Sequence, residues 1–302
     1  MGVPDFQSLM LPLLRLAADQ KEHTLASARE ALSKTLDLTD EDVVQLLPSG
    51  RQTVFANRMA WAKVYLQRAG LFSSSKRGHF QITDRGLAVL AEKLSRVDIK
   101  LLGRFPEFQE FRSRKDQTDA DSDNETTEST STPEETLEAA YQRIRADLAV
   151  EVLDRVKKGS PAFFEHLVVE LLLRMGYGGS RHQAGHAIGR SGDEGIDGVI
   201  SEDRLGLDMI YLQAKRWDGT VGRPEVQKFV GALHGKRARK GVFLTTGTFS
   251  ADARDYVSHI DPKVVLIDGH HLVDLMIDND LGVASNATYH LKKVDSDYFN
   301  EE

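Results

Sequence analysis

The chain contains no cysteine. That absence excludes disulfides, thiolate zinc sites and cysteine nucleophiles together, and it leaves oxygen and histidine as the only ligands for any metal. Long apolar runs are missing too. No uninterrupted stretch approaches the roughly 18 residues that a membrane-spanning helix needs, so no membrane is expected as a partner. Met1 to Leu14 holds Asp5 and has no basic stretch ahead of its apolar residues, unlike a secretion signal, so a cytoplasmic protein is expected, nucleoid-associated if it acts on DNA. Neither G-x-x-x-x-G-K-[ST] nor G-x-G-x-x-G occurs, which argues against an ATP-driven motor. No internal repeat is found. What remains is an ordinary globular composition, 40% hydrophobic and 28% charged over 302 residues, enough for two domains with a core each.

The formal net charge of −7 conceals a strong asymmetry. Asp116 to Thr136 carries eight acids and no base, so the rest of the chain is close to neutral. Between Arg51 and Arg104, eleven basic residues face three acids, Asp84, Glu92 and Asp98, a net of +8. Such a stretch is either an electrostatic footprint for nucleic acid or a solvated helix surface.

The acidic segment has nine Ser or Thr among its 21 residues and no aromatic or large aliphatic side chain, so burial cannot offset the entropy of ordering it. Its charges repel and favour an extended tether, or one that competes with DNA for a basic surface. The expected organisation is a first domain over residues 1–112, a linker over 113–136 and a second domain over 137–302.

In the first domain, Phe6 to Ala18 and Ala26 to Leu36 read as amphipathic helices. From Thr53 to Ala69 the apolar positions Phe55, Met59, Ala62 and Leu66 recur at helical spacing, leaving Asn57, Arg58, Lys63, Gln67 and Arg68 on other faces. Two short strands follow, Leu71–Phe72 and His79–Ile82, joined by a tip with Lys76 and Arg77, and a helix capped by Thr83 or Asp84 closes the unit. This is the order of a winged helix-turn-helix, in which a helix enters the major groove and the wing touches the backbone. Arg51, Asn57, Arg58, Lys63, Lys76 and Arg77 are the expected DNA contacts; the competing reading is a dimerisation module.

Past the linker, Thr132, Pro133 and Glu135 form an N-cap, a first-turn proline and a capping box for a helix with the stripe Leu137, Tyr141, Ile144, Leu148, Val152 and Val156. Ser160–Pro161 opens a second helix. Three strand-like runs follow, near Ser180 to Ile188, Ile196 to Ile200 and Asp208 to Trp217. Then come a helix from Pro224, a strand over Gly241–Thr246, a helix capped by Ser250 and a strand over Val264–Ile267. The order ααβββαβαβ predicts an α/β fold with at least one parallel pair.

Eight glycines fall between Gly176 and Gly198, around Asp193, Glu194 and Asp197, and bend the backbone tightly. On the strand that follows, Gln213 and Lys215 share a face by the two-residue period, and a hairpin of this length brings them towards Asp197. A carboxylate, an amide oxygen and an ammonium in one place suit Mg²⁺ and phosphate, with the lysine orienting water or stabilising charge on phosphorus. Asp197 and Gln213 are the expected metal ligands and phosphodiester hydrolysis the expected reaction. Gln213, a neutral amide, is the weakest electrostatic ligand of the set. His182 and His186, four apart, lack a helical context, and Trp217 and Tyr211 stack on a base or pack in the hairpin.

Phe164-Glu165, Gly176-Tyr177, Gly192 to Asp197, Gln213-Ala214-Lys215-Arg216 and Thr245-Thr246-Gly247 stand in the order and spacing of the Mrr-like restriction endonuclease catalytic domain, which the chain resembles over about Ser160 to Gly282. The first domain resembles the Mrr N-terminal winged helix. The resemblance implies a restriction-endonuclease-like PD-(D/E)xK fold of the branch with glutamine in the third motif, a mixed sheet with flanking helices. It implies that Asp197 binds the metal, Gln213 supplies a ligand oxygen, Lys215 serves the attacking water and Glu165 stands near the metal. It further implies a homo-oligomeric type IV enzyme that cuts double-stranded DNA bearing methylated adenine or cytosine, with Mg²⁺ and no nucleotide. Glu194 stands where a glycine fits the family loop equally well. The rival readings are a DNA-binding regulator with an inactive nuclease fold and a repair nuclease for branched or broken DNA.

Overall fold

The computed structural model describes residues 2–74, 78–116, 130–178, 195–203, 205–292, 294 and 298. Two compact units emerge, Met1–Gln142 and Arg143–Lys292.

The first unit is built from short capped helices. In order they are α1 (Met10–Leu16), β1 (His23–Thr24), α2 (Leu25–Thr35), α3 (Asp40–Val44), α4 (Val54–Arg68), β2 (Phe72–Ser73), β3 (His79–Ile82), α5 (Asp84–Ala91), α6 (Ile99–Leu102) and α7 (Pro106–Asp116), with α8 starting at Pro133. Thr24, Thr39, Thr53 and Thr83 each accept a backbone N–H of the first turn of the following helix, which stops the preceding chain from continuing helical. β3 pairs with β2 in the expected hairpin and also with β1, so the wing rests on a three-stranded sheet. β1 and α3 are too short, at two and five residues, to leave a periodic signal and were not foreseen. Phe55, Met59, Ala62 and Leu66 of α4 are buried against Leu13, Leu14, Phe80 and Phe108 in one core. The result is a mostly helical winged-helix unit.

α8 (Pro133–Lys158) begins with the foreseen capping box: Glu135 N donates to Thr132 Oγ1 and Thr132 N to Glu135 Oε2. Of its apolar stripe, Val152 and Val156 at the C-terminal end are buried, whereas Leu137, Tyr141 and Ile144 are exposed. The expected linker is described only at its two ends, α7 reaching Asp116 and α8 starting at Pro133; residues 117–129 lie outside the described residues.

The second unit contains α9 (Pro161–Arg174), β4 (Gly198–Ser201), β5 (Met209–Lys215), β6 (Thr220–Val221), α10 (Arg223–Gly235), β7 (Lys240–Thr245), β8 (Thr248–Phe249), α11 (Ala251–Ser258), β9 (Lys263–Ile267) and α12 (Gly269–Asp278). The main sheet has the order β4-β5-β7-β9, with β4 antiparallel to β5 and the pairs β5–β7 and β7–β9 parallel. Alternation along β5 sorts its side chains. Ile210 and Leu212 point into a core with Phe164, Leu171 and Leu272 from α9 and α12, while Tyr211 packs with Val226, Phe229 and Phe243 on the α10 side. The sheet is thus mixed and covered by helices on both faces. Of the three strand-like runs expected before β7, two appear as β4 and β5; the run near Ser180 to Ile188 lies outside the described residues.

Candidate active site

The site is assembled where β4 begins and β5 ends. Asp197 N donates to Leu212 O at 2.8 Å, extending the β4–β5 ladder by one residue and placing the Asp197 side chain beside Gln213. Gly195, two residues earlier, has φ +98°, a left-handed conformation that a side chain would strain, and an added Cβ would stand 3.3 Å from Gln213 Oε1. Glycine here lets the backbone turn close to the amide.

Asp197 Oδ2 accepts from Ala214 N at 2.7 Å and from Gln213 Nε2 at 2.5 Å. Burial raises its carboxyl above the usual carboxylate range, and the Ala214 N–H opposes that shift. A half-desolvated carboxylate of this kind favours a nearby positive charge. Lys215, two residues beyond Gln213 on the same face of β5, pairs with Glu225 in the first turn of α10 and lies 4.0 Å from the centre of the Trp217 ring. Lys228 Nζ holds the other Glu225 oxygen at 2.9 Å. Hydrogen bonds from Lys215 and then from Lys228 keep the Glu225 carboxyl below its ordinary value.

The residues suit a divalent cation in part. Asp197 and Gln213 adjoin, as two oxygen ligands would, but the amide here turns Nε2 rather than Oε1 to the carboxylate. A half-turn of the amide exchanges the two atoms and turns Oε1 towards the carboxylate, an arrangement that a cation between the two oxygens would stabilise. No group of three or more His, Asp or Glu side chains that could hold a metal occurs among the described residues.

Glu165 is not brought to this cluster by a direct contact. It sits on α9, whose core residues pack on the Leu212 face of β5, opposite to Gln213 and Lys215, and it makes no hydrogen bond or ion pair with Asp197, Gln213 or Lys215. Trp217 is neither a core residue nor buried in the hairpin; it is 43% exposed and its backbone N–H and C=O both bond the Thr246 hydroxyl. Gly247 explains the third residue of the Thr245-Thr246-Gly247 motif: a Cβ there would stand 2.0 Å from Gly219 O. Glu225 was missed by sequence reasoning, because its partner is ten residues away across a sheet–helix packing and no short-range pattern encodes it. Asp193, Glu194, His182 and His186 lie outside the described residues.

The expected DNA contacts in the first unit separate. Arg51 is exposed, and Lys63 is partly buried. Asn57 does not lie on an open face: it is 2% exposed and accepts the Thr132 hydroxyl at 2.6 Å. Arg58 is also engaged, donating to Glu135 at 2.8 Å and to the carbonyls of Val3 and Pro4. Both were expected on outward faces because helical periodicity reports only the apolar stripe, and residues from beyond the linker close over this side of α4. Lys76 and Arg77 lie outside the described residues. The +8 stretch is partly neutralised within the unit, since Glu107 pairs Arg85 and Glu135 pairs Arg58.

Comparison with known proteins converges on one family. Residues 156–276 match the family described as Restriction endonuclease, and residues 6–92 match the Mrr N-terminal domain. The type IV methyl-directed restriction enzyme EcoKMrr of Escherichia coli (strain K12) is 40% identical over 99% of this chain and 100% of its own length. A solved structure of the MspJI restriction endonuclease with a 27-mer oligonucleotide is similar over 51% of this chain and 34% of that one, at 20% identity and a TM-score of 0.27. With both halves matched in order and the full-length relative aligned end to end, the chain belongs to the Mrr family of restriction endonucleases.

Proposed function

We propose that this restriction endonuclease is methyl-directed: it hydrolyses the backbone of double-stranded DNA carrying methylated adenine or cytosine, with Mg²⁺ as cofactor and no nucleotide. The observation that carries the reading is the hydrogen bond between Gln213 and Asp197, with Lys215 two residues further along the same face of β5, in a chain 40% identical to a type IV methyl-directed enzyme.

Asp197 and, after rotation of its amide, Gln213 would hold the cation. When bound, that cation supplies positive charge against the phosphate and lowers the barrier to attack by water. The chain's own contributions follow from the geometry. The Ala214 N–H fixes Asp197, so its carboxylate is oriented by β5 itself. Lys215 brings an ammonium to the same edge of β5, where it orients water or offsets charge building on the phosphoryl oxygens. Gln213 adds no charge, so DNA phosphate itself completes the ion's neutralisation, and metal affinity rises when DNA is present.

In the division of labour we propose, the N-terminal winged helix, expected over residues 1–112, binds DNA and the C-terminal domain cuts it. The first uses Arg51, Lys63 and the wing-tip residues Lys76 and Arg77; Asn57 and Arg58 are withdrawn from that set. Glu165 is retained as a residue that reaches the metal through water. The enzyme works as a homo-oligomer, because one such site cuts one strand, and acts on the nucleoid in the cytoplasm. No helix among the described residues is long and apolar enough to cross a membrane.

The test is incubation of the protein and Mg²⁺ with plasmids from methylating and non-methylating hosts. Cleavage of the methylated plasmid alone is expected. In the same assay Asp197→Ala and Lys215→Ala should lose at least ~10²-fold in cleavage rate. Their affinity for DNA in Ca²⁺ should stay within about threefold, since neither residue is needed for backbone contacts by the winged helix. Intact plasmid under all methylation states would favour the regulator, and preferential cutting of a four-way junction would favour the repair nuclease.

A further inference from the structure

We infer that Glu225 is a positioning residue for the reaction, holding the Lys215 ammonium at the site through a contact from α10. The inference rests on the site proposed above, and goes beyond it by naming a residue outside Asp197, Gln213, Lys215 and Glu165.

Lys215 ends β5, and its side chain has four rotatable bonds that must be fixed for the ammonium to face the reacting phosphate. Two contacts fix it. Glu225 accepts from Nζ through Oε2, and the Trp217 ring lies under the same ammonium at 4.0 Å. Both partners are anchored by the fold. Glu225 stands in the first turn of α10 just after Pro224, and α10 is pinned to the sheet by Val226, Phe229 and Leu233. Trp217 is tied to β7 by the paired hydrogen bonds to Thr246.

An acid in a first helical turn often serves only the helix dipole. Glu225 does more than that: both its oxygens are taken by lysines, Lys215 on one and Lys228 on the other, and Lys228 is exposed while Lys215 is not. Lys215 and Glu225 side chains are 24% and 29% exposed, so water screens this pair less than the surface pairs of the same unit. The Lys215 ammonium is taken by Glu225, and among the described residues no Lys215–Asp197 ion pair forms.

The experiment measures single-turnover cleavage of adenine- and cytosine-methylated plasmids by the full chain and by Glu225→Ala, Glu225→Gln, Glu225→Asp and Lys215→Ala. Glu225→Ala is expected to slow the cleavage step by ~10- to 100-fold, the loss typical of a misplaced catalytic group. DNA affinity in Ca²⁺, half-saturating Mg²⁺ and the thermal midpoint should change little. Glu225→Gln, which keeps an acceptor at the same reach, should recover more of the rate than Glu225→Asp, which does not reach. If Lys215→Ala is inactive while Glu225→Ala cuts within about twofold of wild type, the positioning role is overturned and the site stands. Rescue of Glu225→Ala by excess Mg²⁺ would make Glu225 a metal ligand and likewise overturn it. Cleavage by Lys215→Ala at the wild-type rate would instead remove the site reading beneath it.

Discussion

Lys63 illustrates how a residue's environment revises what its type suggests. Its ammonium is half-buried on α4, and burial alone lowers its pKa below the usual lysine value. At neutral pH the side chain is charged in both folded and unfolded protein, and the folded state carries the desolvation cost. Lys63→Met retains the apolar stem and removes that cost, so its urea midpoint should lie above wild type at pH 7. As pH rises through the lowered folded pKa the native protein sheds the proton while the unfolded chain keeps it, so wild-type stability climbs and the gap closes. Urea titrations of both proteins between pH 7 and 10.5 check this; a gap that widens with pH would show the sign to be wrong. At this scale the Asp197–Gln213 contact and the shared face of Gln213 and Lys215 were legible, because alternation along a strand and one hairpin are short-range facts. Glu225 was not, since only packing of α10 on the sheet brings it to Lys215.

Helix α8 shows the same limit for an element. Its start was readable from Thr132, Pro133 and Glu135, because capping is decided within four residues. The destination of its faces was not. Glu135 serves twice, closing the capping box and pairing Arg58, with side chains 14% and 22% exposed. Thr132 likewise caps the helix and donates to buried Asn57. Glu135→Ala should therefore destabilise the first unit by about 2–4 kcal/mol, more than the ~1 kcal/mol of a lost cap, because Arg58 is left without its charge partner. Denaturant unfolding measures this, and a loss no greater than that of an isolated cap would mean that the Arg58 pair contributes nothing. Glu134 extends the pattern, accepting from the Trp61 indole N–H. Two acids at the end of a segment that reads as a free tether thus become part of the α4 packing. The apolar stripe at Leu137, Tyr141 and Ile144 was legible as periodicity yet is exposed, since periodicity says which side chains align and not what covers them.

For the whole molecule, each unit has its own core, one of α1, α2, α4 and the wing, the other on the two faces of the mixed sheet. Units with separate cores unfold separately unless their interface is large and apolar. The chain's two tryptophans report on them individually, Trp61 in the first unit and Trp217 in the second. Trp61→Phe and Trp217→Phe should give fluorescence unfolding curves with different midpoints; coincident curves would show a single cooperative molecule. The composition, the caps, the parallel strand–helix alternation and the spacing from Asp197 to Lys215 were set by residues near one another in the chain, where local sterics and hydrogen bonding decide. Which face of β5 meets α10, which acid holds Lys215, and that Asn57 and Arg58 are occupied by Thr132 and Glu135 were decided only on folding. Those pairings join residues ten to 77 positions apart, and the physical reason is that burial against a distant element, unlike a cap or a strand period, leaves no local pattern from which its partner can be read.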